Sequence, residues 1–175
     1  MVFSSLTFLF AFLPVSLLLY YVVPGKWKDV VLFAVSLLFY AWGEPVYVFL
    51  MLYSIILNYR MGLAMERYPE RKKQTMIFAV VLNLAMLGFF KYYGFVVENL
   101  NRILPFTIPE RELPLPIGIS FYTFQALSYI LDLYWGRIRC QYNFVRFGAY
   151  ITMFPQLIAG PIVRYNDIEE ELDHR

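Results

Sequence analysis

The sequence predicts an all-α, multi-pass transmembrane helical bundle with broken or re-entrant segments, and three observations lead there. Of 175 residues, 60% are hydrophobic and only 16% are charged, whereas a soluble domain carries charge on about a quarter of its residues. Long runs hold no charge at all, and the alternation of a strand is absent. The basic residues lie mostly between the apolar runs rather than in a patch, and the net charge is only +2. That distribution excludes a nucleic-acid partner and makes membrane lipid the main surrounding partner. One cysteine, Cys140, excludes an internal disulfide and a cysteine-based metal cluster.

Six apolar segments can be read along the chain. Residues 2–23 run for 22 residues without a charge, about 33 Å as a helix against a hydrocarbon core of roughly 30 Å. No basic region precedes them and "YYVVPG" offers no small-residue cleavage site, so they read as a retained span. Residues 26–43 and 45–60 are shorter and are punctuated by Glu44-Pro45, with Lys26, Lys28 and Arg60 placed to snorkel. Residues 75–97 form the fourth segment, 114–135 the fifth and 147–163 the sixth. Pro155 and Gly160-Pro161 break the last of these. No repeat, low-complexity tract or soluble domain interrupts what reads as one membrane domain over residues 1–175.

Orientation follows from Lys and Arg. If all six segments cross, one side holds Lys26, Lys28, Arg60, Arg67, Arg71, Lys72, Lys73, Arg137, Arg139 and Arg146. The other holds Arg102, Arg111, Arg164 and Arg175. The richer side is expected in the cytoplasm, which puts the N-terminus outside. Residues 164–175 share that outer side if 147–163 crosses and are cytoplasmic if it re-enters.

The fifth segment, "PLPIGISFYTFQALSYILDLYWG", carries the most information. Pro114, Pro116 and Gly118 predict an extended start, with the helix beginning near Ile119 or Ser120. Non-helical backbone at membrane depth is tolerated only inside protein or beside a watery cavity. From there Tyr122, Gln125, Tyr129 and Asp132 recur at i, i+3, i+7 and i+10, within an arc of about 80°. Phe124, Leu127 and Leu131 take the opposite side, which suits lipid or a packed neighbour. A one-sided polar stripe either hydrogen-bonds neighbouring helices or faces a cavity or pathway. "MFPQLIAGPIVRY" (153–165) supplies a second broken segment with its own amide, Gln156, and ends beside Arg164. Two interrupted segments close in sequence point to a site between them. The substrate-channel candidates are therefore Tyr122, Gln125, Tyr129, Asp132, Gln156 and Arg164.

These stretches, with "FYAWGEP" and "KYYGF" before them, resemble the membrane-bound O-acyltransferases over about Phe39 to Tyr165. The likeness is to the alginate O-acetylation branch, with the teichoic-acid D-alanylation proteins more distant. The resemblance implies a membrane enzyme, expected in the bacterial inner membrane. It would take an activated acyl group, from acetyl-CoA or another carrier, as substrate and bind no resident cofactor. The acyl group would pass toward an extracytoplasmic polysaccharide such as alginate, or toward an acyl-accepting partner protein. Enzymes of this family carry a characteristic histidine in a later hydrophobic segment. The lone histidine here, His174, sits in the acidic stretch "DIEEELDHR", where a solvated surface histidine is the plainer reading. A histidine near its ordinary pKa suits removal of a hydroxyl proton. The chain thus reads as the N-terminal part of such an enzyme, with no catalytic residue, no metal site and no activity of its own.

Other residues have two readings each. Lys91 could attract an anionic acyl carrier or snorkel near an interface, the commoner case. Asp132 could orient a polar partner or pair with Arg137 or Arg139. Cys140 could be acylated, but an unmodified small apolar residue is the commoner case. Two other functions, a transporter or channel and a non-catalytic membrane scaffold, fit the broken segments and the missing histidine.

Overall fold

The computed structural model describes residues 6–103, 114–154 and 164–165, and every regular element within them is helical. The α-helices are α1 (Leu13–Val22), α2 (Lys28–Gly43), α3 (Val48–Arg67), α4 (Lys72–Ile103), α5 (Ile119–Tyr134) and α6 (Phe144–Thr152). A π-type turn, Phe8–Phe12, leads into α1, and the Leu13 N–H reaches back to the Phe8 carbonyl. Pro14 explains it: the ring has no N–H to give Phe10 and would crowd that carbonyl, so the turn widens just before it.

Prolines set most helix boundaries. Glu44, before Pro45, leaves the helical region at φ −138° and ψ 72° and closes α2. Tyr68, before Pro69, does the same for α3 at φ −127° and ψ 74°. Between these stops α3 runs past the expected 45–60 segment to Arg67, because "MGLAMER" is mostly strong helix formers. Helix α4 likewise exceeds 75–97: its 32 residues extend about 48 Å. Among the described residues, Val48–Arg67 and Pro69–Ile103 are the two stretches long and apolar enough to cross a membrane.

The fifth helix begins at Ile119, behind Gly118 in the left-handed region at φ +76°. The extended residues before it are held by α2 and the turn after it. The Tyr40 hydroxyl donates to the Ile117 carbonyl at 3.0 Å, and the Tyr47 hydroxyl donates to the Pro114 carbonyl at 2.9 Å. At its far end α5 closes on Gly136, φ +71°. The Arg137 N–H bonds the Asp132 carbonyl at 2.9 Å and the Gly136 N–H bonds that of Leu133 at 3.2 Å, the paired bonds of a Schellman stop.

Helix α6 starts at Phe144, where the Asn143 side chain accepts from the N–H groups of Val145 and Arg146. It ends at Thr152, so it covers only the first part of the expected 147–163 segment. Whether that segment crosses or re-enters turns on residues 155–163, which lie outside the described residues.

The core centres on α5, which packs against α3, α4 and α6 and buries ten of its 16 residues. Helix α6 packs on α2 as well. The Arg146 guanidinium donates to the Asp29 carboxylate at 2.9 Å across that contact. A second aromatic cluster of Phe8, Phe12, Phe39 and Phe154 ties the π-type turn before α1 to α2 and to the residues after α6. Helix α4 is different: of its residues only Ala79, Asn83, Leu87 and Val97 are buried.

Candidate functional site

The polar stripe of α5 lies in the interior. Tyr122 and Tyr129 are fully buried, Gln125 and Asp132 nearly so, while Phe124 on the reverse side is 46% exposed. Leu127, also on the reverse side, is buried against the surrounding helices. The stripe residues differ in the partners they meet.

Gln125 joins α5 to α6. Its amide donates to the Tyr150 carbonyl at 2.9 Å, and the Tyr150 hydroxyl reaches the Gln125 carbonyl at 3.5 Å. The Ser128 hydroxyl also donates to that carbonyl at 2.8 Å. Tyr129 receives the backbone N–H of Gln141 at 3.1 Å, and its hydroxyl points at the Cys140 sulfur, 3.8 Å away. Its ring packs on Phe147 and Tyr165, with centroids 4.8 and 5.4 Å away. Tyr150 contacts Tyr165 in turn, and the Gln141 amide donates to the Tyr165 hydroxyl. Tyr165 was not singled out by sequence reasoning, although it ends the second broken segment.

Asp132 pairs with Arg137 at 3.4 Å, the carboxylate buried and the guanidinium 56% exposed. Of its two readings, the geometry displays the ion pair, and Arg139 is exposed. The Arg137 guanidinium also sits 4.7 Å from the Trp135 ring. Lys91 is exposed, with its ammonium 5.9 Å from the Tyr92 ring. Cys140 is buried, which pushes its thiol pKa up; the Tyr129 hydroxyl works against that shift, and the Glu66 carboxylate adds to it. Gln156 lies outside the described residues, and Arg164 is exposed.

Tyr122 stands apart. It is fully buried, and its hydroxyl faces the Tyr40 hydroxyl of α2 without closing a full hydrogen bond among the described residues. The Thr123 hydroxyl on α5 and the Ser36 hydroxyl on α2 have no hydrogen-bond partner among the described residues. An unsatisfied buried hydroxyl costs about 1–3 kcal/mol, and such groups in a native fold call for an explanation. Chemically, the stripe offers hydrogen-bond donors that can orient a carbonyl or ester oxygen. Among the described residues it offers no general base, since Asp132 is committed to Arg137 and no histidine is present.

A second buried polar element, missed at the level of sequence, joins α3 to α4. Asn58 and Asn83, both fully buried, exchange amide hydrogen bonds of 3.0 and 2.8 Å. Each also donates to a carbonyl one turn back in its own helix, Ser54 and Ala79, at 2.8 Å. The available signal was an asparagine within each of two adjoining apolar stretches.

Comparison with known proteins places this arrangement. The chain is 40% identical over its whole length to "Probable alginate O-acetylase AlgI" of Pseudomonas aeruginosa, and also 40% identical to the protein of that name from Azotobacter vinelandii. It is 31% identical, over 96% of its length, to "Peptidoglycan O-acetyltransferase" of Helicobacter pylori. It spans only 35%, 36% and 38% of these relatives' own lengths. No protein-family model matches it, and no solved structure does. With whole-chain identity to relatives named for O-acetyl transfer, the chain belongs to the membrane-bound O-acyltransferase family, in its alginate O-acetylation branch.

Proposed function

We propose that this chain forms part of a membrane enzyme that moves an acetyl group from the cytoplasmic side toward an extracytoplasmic glycan. The observation that carries this reading is the identity to relatives whose two different names share one chemistry, O-acetylation of a glycan. The donor is acetyl-CoA or another activated acyl carrier. The acceptor is a polysaccharide such as alginate, or a protein that carries the acyl group onward.

A multi-pass position in the bacterial inner membrane accords with the outer surface. Phe10, Leu18, Phe49, Phe78, Phe89 and Phe95 are all at least half exposed, a distribution suited to lipid and costly in water. The basic asymmetry puts the N-terminus outside and the link between α3 and α4 in the cytoplasm. In this reading the stripe of α5, with Gln156 and Arg164, lines the acyl passage. Gln125 shapes the wall by holding the Tyr150 carbonyl, and Asp132 fixes its cytoplasmic end through Arg137.

The test uses the complete protein in a host that makes the polysaccharide, with acetylation normalised to protein in the membrane. Gln125→Leu is expected to lower acetylation per molecule about tenfold or more, as loss of a positioning hydrogen bond can. Phe124→Leu, on the exposed reverse face, is expected to stay within about twofold, since surface changes are small. Wild-type acetylation per molecule by Gln125→Leu would remove the stripe from the acyl route.

A further inference from the structure

We propose that the cleft at the C-terminal end of α3 is a binding site for a phosphate group. It encloses about 440 Å³ and is lined by Tyr59, Arg60, Leu63, Ala64, Arg67 and Tyr68. Arg67 lies seven positions after Arg60, which sets them two turns apart and within about 20° round the helix. Both are exposed. The ion pairs of the described residues engage Arg102, Arg137 and Arg146, and neither Arg60 nor Arg67 is among them. The carboxylate nearest in sequence, Glu66, sits about 120° round the helix from Arg60, on the side of Cys140 and Tyr142.

Two arginines on one face of a helix can share an anion between them. Their planar forks suit phosphate oxygens, which they can take in pairs. The surrounding walls are fixed. The Tyr59 hydroxyl donates to the Tyr142 carbonyl, and the Arg67 guanidinium lies 5.6 Å from the Tyr68 ring. A lipid headgroup and a soluble organic phosphate both present this chemistry. The site stands on α3 and on Tyr68, which follows it, and its test does not depend on acetyl transfer.

The complete protein is placed in phosphatidylcholine nanodiscs and titrated with inorganic pyrophosphate by calorimetry. In parallel, mixed discs containing phosphatidylglycerol are analysed for lipid retained on the protein. A soluble-phosphate site gives pyrophosphate binding that weakens about tenfold or more in Arg60→Gln/Arg67→Gln. A headgroup site gives no pyrophosphate binding but phosphatidylglycerol retention that the same variant loses. Arg60→Lys/Arg67→Lys is expected to fall between, keeping charge without the fork. Unchanged Tm in both variants, expected for exposed side chains outside the ion pairs, separates ligand loss from misfolding. If neither probe distinguishes the wild type from Arg60→Gln/Arg67→Gln, the proposal is overturned.

Discussion

Gly148→Val is expected to lower the stability of the protein by about 1–3 kcal/mol, the cost of overpacking a closed contact. A Cβ on Gly148 would stand 2.6 Å from Cε2 and 2.7 Å from Cζ of Phe33, closer than side-chain carbons approach. The ring also packs edge-on against Phe144, one turn before Gly148 on α6, at 6.2 Å between centroids. Alanine at a helical glycine normally gains up to about 1 kcal/mol. At Gly148 the clash cancels that gain, so even Gly148→Ala is expected to be neutral or destabilising. Gly88 and Gly94 on α4 provide the internal contrast, since a Cβ there meets nothing within 4 Å. Their alanine variants are expected to be neutral or stabilising. Tm in detergent checks the set, and Phe33→Ala should restore part of what Gly148→Val loses. A Gly148→Val protein as stable as the wild type would contradict the close approach of α6 to α2.

Breaking the amide pair between α3 and α4 should be as damaging. In Asn58→Leu the Asn83 amide loses its interhelical partner while remaining buried, which costs about 1–3 kcal/mol. An interhelical hydrogen bond within a membrane is itself worth only about 0.6 kcal/mol on average. The orphaned group therefore dominates, and a definite sign of non-additivity follows. Asn58→Leu/Asn83→Leu removes both polar groups, so it should lose less than the two single variants together and resemble the milder of them. A double loss equal to their sum would mean that the two amides act independently.

The parts of this fold that were legible in the sequence are those fixed by local chemistry. Proline and glycine act on their own backbone and their neighbours, so the start of α5 at Ile119 could be placed from Pro114, Pro116 and Gly118. The inward set of the Tyr122 stripe needed only helical periodicity. The ends of α3 and α4 were not legible from charge-free runs, which measure fit to a membrane, whereas helix length obeys propensity and the next proline. The Asn58–Asn83 pair depends on how α3 and α4 align across 25 residues of sequence. The hydroxyls of Tyr40 and Tyr47 reach carbonyls 77 and 67 residues away, and no local pattern encodes such a contact. Those two bonds are what satisfy the irregular backbone that the prolines announce.

The role of the buried stripe is tested most directly by removing one oxygen atom. The Tyr122 hydroxyl makes no full hydrogen bond among the described residues and has the Tyr40 hydroxyl of α2 as its polar neighbour, so phenylalanine loses little contact there. In the complete protein, Tyr122→Phe removes one oxygen that makes no full hydrogen bond, so Tm and membrane abundance should change little. If that hydroxyl orients the acyl group in transit, acetylation of the polysaccharide per molecule should fall about tenfold or more. Wild-type acetylation by Tyr122→Phe at normal abundance would contradict the account and leave the α5 stripe as packing alone.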